Sequence, residues 1–95
     1  MTTINDFIST PGEILLEEFL EPLGISQYRL AKAIGKPQSA ISDIVHARRV
    51  ITAEMAWLLG KALGTSAQFW LNLQQTYDLK TLDTTRANEV EVLVG

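Results

Sequence analysis

Cysteine is absent from the 95 residues, which excludes disulfides and thiolate-bound metals. Histidine occurs once, at His46, with no ligand pair beside it, so no metal site is expected. No apolar run approaches the roughly 20 residues that cross a bilayer. Nor does a basic start lead into an apolar core, as a secretory signal would. The expected location is therefore cytoplasmic, with no membrane partner. There is no phosphate-cradling glycine loop and no nucleophile with a base in register. The carboxylates of Glu13 and Glu17 are paired, but a chain this short has little room for a cleft around them. Enzymatic activity and a cofactor are accordingly not expected. Neither an internal repeat nor a low-complexity stretch is visible.

What is present is ordinary globular material, 46% hydrophobic and 20% charged, enough for a single domain spanning residues 1–95. The net charge of −3 weighs against nucleic acid as a partner, yet it averages over a steep asymmetry. Residues 1–24 carry Asp6, Glu13, Glu17, Glu18 and Glu21 and no base. Residues 25–52 carry Arg29, Lys32, Lys36, Arg48 and Arg49 against Asp43 alone. A positive block of this kind can meet a phosphate backbone, and it can equally be a solvated face.

Helix punctuation is clear. Thr10-Pro11-Gly12-Glu13 reads as a capping box with proline at the first helical position. The first helix runs from there to about Glu21, where Pro22 stops it. Its apolar stripe is Leu15, Leu16, Phe19, Leu20 and Leu23, with Glu13, Glu17 and Glu21 one turn apart on another face. Phe7 and Ile8 are candidates to anchor the preceding segment. Ser26 caps a second helix over about 27–34, with Leu30, Ala31 and Ile34 inward and Gly35 ending it. Pro37 opens a third helix running to about His46, with Ile41, Ile44 and Val45 inward. Thr52 caps a fourth over about 53–63, closed by a left-handed Gly64. Thr65 or Ser66 caps a fifth, with Phe69, Trp70, Leu73 and Tyr77 at helical spacing. The alternation Glu89-Val90-Glu91-Val92 leaves room for one short strand.

The second and third helices satisfy the requirements of a helix-turn-helix between residues 27 and 46. Ala31 is small where the helices cross, Gly35 is free to take the positive φ of the turn, and Leu30, Ile34, Ile41 and Ile44 can lock the angle. An ordinary helical hairpin is the alternative. A recognition helix offers its N-terminal residues to base edges in the major groove. Gln38, Ser39 and Ser42 occupy that end, and a glutamine amide can bond adenine N6 and N7 together. Gln27 opens the second helix, where an amide and a helix N-terminus can hold a phosphate. With Arg29, Lys32, Lys36, Arg48 and Arg49 it forms the expected backbone-contacting set. Gly60, inside the fourth helix, costs about 1 kcal/mol relative to alanine. Close approach of another backbone is its expected compensation.

The glutamine-serine pattern resembles the phage-repressor helix-turn-helix, in which the first glutamine braces the second; the resemblance carries that role to Gln27 and Gln38. More broadly, PGEILLEEFLEPLGIS, LAKAIG and AISDIVHARRVITAEMAWLLGKALGTSAQFWLNLQQTYDL resemble the HigA-type antitoxins, small members of the same superfamily. The resemblance covers about residues 10–79 and leaves 80–95 as a C-terminal extension. It implies an all-α, five-helix, lambda-repressor-like DNA-binding domain and a homodimer. It further implies double-stranded operator DNA as ligand, autorepression, and a HigB-like, mRNA-cutting toxin as partner. Family members commonly carry glycine before the arginine pair. Here Ala47 stands there, so the third helix either ends without an easy left-handed residue or runs longer. Asp43 puts a negative charge on a face meant for phosphates.

Two surfaces follow for the implied partners. The acidic stretch of Glu13, Glu17 and Glu21 is the expected docking surface for a basic toxin. Trp70, Leu71, Tyr77, Leu79 and Leu82, with residues 90–94, are the expected dimer contact. A helix-turn-helix regulator without a toxin, and an interaction module that has lost DNA binding, remain as alternatives.

Overall fold

The computed structural model describes residues 9–95, so the anchoring expected of Phe7 and Ile8 lies outside the described residues. Five helices make up the body. Helix α1 is continuous but changes register: α over Pro11–Ile14, π over Leu15–Leu20, α again over Glu21–Leu23. Then follow α2 (Gln27–Ile34), α3 (Gln38–Val45), α4 (Ala53–Leu63) and α5 (Ala67–Thr81). The all-α class read from the sequence holds. The short strand does not. Ala87–Glu89 is a single 3-10 turn, and Val90, Val92 and Val94 are exposed with no ladder. One extended segment has no pairing partner among the described residues, so its alternation has nothing to build on.

Four of the five helices start on the expected side-chain cap. Thr10 accepts from the Glu13 N–H, Ser26 from Arg29, Thr52 from Met55 and Ser66 from Phe69. Gly35 (φ 73°) and Gly64 (φ 75°) close α2 and α4 in the left-handed region. Pro22 does not stop α1. The helix carries it inside its last turn and ends at Gly24, φ 66°. A proline ring crowds the carbonyl four residues back. The wider π register just before it, with the Glu21 N–H donating to Leu16 O, loosens the turn it must fit. The same register explains why Leu23 is exposed rather than on the inner stripe. The fully buried pair on α1 is Leu15 and Leu20, five residues apart, which is a π spacing.

The core gathers Leu15 and Leu20 with Leu30, Ala31, Ala40, Ile41, Ile44, Ile51, Met55, Ala56, Leu59 and Trp70. Trp70 is 0% exposed. Its ring packs 5.0 Å from both Phe19 and Phe69, and its indole N–H donates to Thr65 Oγ1 at 2.7 Å. That corrects its place in the expected dimer contact: the chain's own core uses all of its surface. Gly60 is explained as expected, since a Cβ there would lie 2.8 Å from the Thr65 carbonyl oxygen.

Helix α3 ends at Val45, one residue early, because Ala47 takes the left-handed conformation itself (φ 60°). The Ala47 N–H donates to Ile44 O and the Arg48 N–H to Asp43 O at 2.7 Å, a terminator usually built on glycine. A Cβ in this region is strained by about 1–2 kcal/mol. Ala47→Gly is expected to raise stability by about 1 kcal/mol, read as a higher urea midpoint with an unchanged m-value.

Candidate nucleic-acid interface

Helix α2, the Gly35 turn and α3 form one packed unit, with Leu30, Ala31, Ala40, Ile41 and Ile44 buried between them and the rest of the core. That packing leaves the N-terminal end of α3 outward. Gln38 and Ser39 are exposed there, and Pro37 caps the helix without a side-chain hydrogen bond. The first turn thus keeps N–H groups that no side chain satisfies, beside two polar side chains. Ser42, one turn on, is half-buried. His46 Nδ1 lies 2.8 Å from the Ser42 carbonyl and 3.4 Å from its hydroxyl. A carbonyl only accepts, so this contact puts a proton on Nδ1.

The expected bracing of Gln38 by Gln27 is not formed. Among the described residues no hydrogen bond joins the two amides. Gln27 is half-buried and Gln38 exposed, so water competes for both at little cost.

The basic residues divide into three situations. Arg29 and Lys32 are exposed on α2. Lys36, in the turn, reaches Glu54 on α4 at 3.1 Å, so a phosphate contact there must exchange one partner for another. Arg48 and Arg49 converge on Asp43. Oδ1 accepts from Arg48 at 3.2 Å and Oδ2 from Arg49 at 3.4 Å. Asp43 is therefore not an isolated negative charge facing DNA. It is outnumbered by the two guanidiniums it aligns, each still half or more exposed. Surface pairs contribute about 0–1 kcal/mol to stability, so their consequence here is orientation. From sequence Asp43 reads as a liability, because the chain reversal that turns both arginines back onto α3 is not visible there.

The loop bearing these arginines is also held from beneath. Gln74, on α5 and 8% exposed, accepts the Ile51 N–H at 2.8 Å and donates to Asp78 at 2.9 Å. Sequence reasoning missed it. The only signal was a polar residue next to Leu73 and one turn from Trp70 and Tyr77.

On the acidic side, Glu13 is occupied. Its carboxylate accepts the Thr10 N–H at 2.8 Å and completes the capping box. Glu17 and Glu21 are exposed. Of the remaining residues expected at a dimer contact, Leu71 and Tyr77 are half-buried, while Leu79 and Leu82 are 72% and 61% exposed.

The helix-turn-helix family profile matches residues 16–70. The chain is 51% identical over 70 residues to virulence-associated protein I of Dichelobacter nodosus, covering 74% of this chain but 65% of that one. It thus spans just under two thirds of that relative's length. Among solved structures, it superposes with a TM-score of 0.81 and 42% identity on PA4674 of Pseudomonas aeruginosa in complex with its 18-bp operator DNA. That match covers 92% of this chain and 96% of the other. The Pseudomonas aeruginosa antitoxin HigA with the higBA promoter gives a TM-score of 0.80 at 41% identity, covering 90% of this chain and 98% of that one.

Proposed function

This chain belongs to the helix-turn-helix family, and from that premise we propose that it is an antitoxin that represses its own operon and neutralises an mRNA-cleaving, HigB-like toxin. The observation that carries the DNA-binding half is the uncapped, outward N-terminus of α3, with Gln38 and Ser39 exposed on it and Arg48 and Arg49 oriented beside it. Two superposable proteins, each solved with its operator or promoter DNA, support DNA as the ligand. Gln38, Ser39 and Ser42 read base edges. Gln27, Arg29, Lys32, Lys36, Arg48 and Arg49 position the domain on the phosphates. A homodimer then presents two α3 helices to half-sites one helical turn apart, roughly 34–36 Å. A DNA ligand is in keeping with a cytoplasmic location.

The test is a binding titration on the promoter upstream of its gene. Gln38→Ala is expected to weaken the operator complex by roughly 1–3 kcal/mol while leaving affinity for random duplex nearly unchanged. Equal loss on both duplexes removes base reading from Gln38, and absence of any preference for the promoter in the wild type defeats the repressor reading.

The toxin half rests on charge. A protein that grips RNA is basic, and the acidic face of α1 lies outside the helix-turn-helix, free while DNA is bound. Complementary charge acts mainly on association rate and partner choice. Because Glu13 also holds the capping box, the informative variant is Glu17→Lys with Glu21→Lys, which leaves the helix start intact. We expect roughly tenfold slower toxin association at low salt with operator affinity retained. An unchanged rate places the toxin on another surface.

A further inference from the structure

Loop residues 46–52 carry both arginines, and they are restrained at three points. Ala47 holds the left-handed turn that leaves α3. Asp43 aligns the two guanidiniums. The third restraint comes from outside the helix-turn-helix: the buried amide of Gln74 on α5, whose Oε1 accepts the Ile51 N–H at 2.8 Å. The Gln74 amide is itself held, since its Nε2 donates to Asp78, one turn further along α5. Gln74, Asp78, Arg48, Arg49 and Val50 line one small cleft of about 150 Å³. Ile51 is 3% exposed, so its N–H has no water to turn to.

We propose that Gln74 is a positioning residue for DNA contact: from α5 it fixes the loop backbone so that Arg48 and Arg49 reach phosphates together, while touching no DNA itself. The proposal rests on the DNA-binding reading above. A buried glutamine is a poor choice for packing alone, because a hydrophobic residue of that size fills the same volume without needing partners. What glutamine adds is a fixed acceptor for one backbone N–H, two residues beyond the arginine pair. Losing it leaves α3 and Gln38 in place and frees the loop. Base reading should therefore persist while the phosphate contribution falls. The arrangement also ties the end of α5 to the DNA-facing loop, since whatever displaces Asp78 loosens Gln74.

The experiment measures operator affinity across a salt series for the full chain, its Gln74→Met variant and its Gln74→Glu, Asp78→Asn double variant, with circular dichroism confirming the fold. Gln74→Met removes the acceptor and is expected to bind about tenfold more weakly per half-site, with the slope of log K against log salt reduced by about one unit per half-site. Gln74→Glu combined with Asp78→Asn keeps an acceptor for the Ile51 N–H, lets the amide at position 78 donate in place of the one at 74, conserves the net charge, and is expected to restore the wild-type slope. In an Arg48→Ala, Arg49→Ala background, Gln74→Met should have no further effect on DNA binding, because the groups it positions are gone. If Gln74→Met does not fold, Gln74→Asn, a methylene too short to reach Ile51, is expected to show the same reduced slope. Lower thermal stability with an unchanged slope, or a full effect persisting without the arginines, overturns the proposal. Failure of the wild type to bind its promoter at all would instead remove the DNA-binding reading on which this one stands.

Discussion

Replacing Gly12 by alanine is expected to lower stability by about 3 kcal/mol or more, the upper end of what overpacking usually costs. Helix propensity alone points the other way, since alanine in a helix is favoured over glycine by about 1 kcal/mol. The sign is set by what lies opposite. Gly12 is buried in the first turn of α1, against the last turn of α3. A Cβ there would collide with the Ile44 carbonyl oxygen, with the carbonyl carbon 2.7 Å away and the Val45 Cα 2.8 Å away. All three are backbone, so no side chain can swing aside. Helix α1 must lift, and Leu15, one turn on and 0% exposed, is drawn out of the core with it. For a domain of this size each kcal/mol moves the melting temperature by about 4–8 °C, so a fall of about 12–24 °C is expected in a calorimetric scan. Gly35 is the control, because nothing lies within 4 Å of a Cβ built there. Its alanine variant should lose only the left-handed strain, about 1–2 kcal/mol. If Gly12→Ala melts within a few degrees of wild type, the close approach of α1 and α3 is not rigid. The Ile44 carbonyl also accepts the Ala47 N–H at the exit of α3. Displacing it should therefore weaken operator binding along with stability.

Gly12 also marks the limit of what the sequence could say. Its place in a capping box is local and readable. The close backbone contact that requires glycine joins residues more than thirty positions apart and leaves no periodic trace. The same division runs through the chain. Caps at Thr10, Ser26, Thr52 and Ser66, and turns at Gly35 and Gly64, depend on a few neighbouring atoms, and they stand as read. So does the spacing that buries Ile41 and Ile44 while leaving Gln38 and Ser39 outward. What failed depended on a register or a partner. A 3.6-residue template places Leu23 inside, but six residues of π helix turn it out. Trp70 at helical spacing fits core and interface equally, and only the packing of Phe19 and Phe69 around it decides for the core. Alternation at residues 89–92 suggests a strand, yet strand formation is settled by a second strand.

Charge shows the same dependence on three-dimensional arrangement, and it leads to the second large effect. The chain is net negative, so the proposed DNA binding must come from local placement. Arg48 and Arg49 are the basic residues placed most deliberately, each at 3.2–3.4 Å from the carboxylate of Asp43 and both largely exposed. If both hold phosphates, the double variant Arg48→Ala, Arg49→Ala is expected to lose about two units of salt slope per half-site. Near 0.1 M salt that corresponds to roughly 50-fold weaker binding per half-site, about 2.3 kcal/mol. Because phosphates carry no sequence, the loss should be similar on operator and random duplex, the opposite of Gln38→Ala. Asp43 makes the comparison sharper. Without the arginines its carboxylate is left unpaired on the DNA-facing side, where it repels phosphate. Adding Asp43→Asn to the double variant should therefore recover part of the lost affinity without restoring the slope. Unchanged salt dependence in the double variant would mean that the pair is turned toward a protein partner, and that phosphate contact falls to Arg29, Lys32 and Lys36 instead.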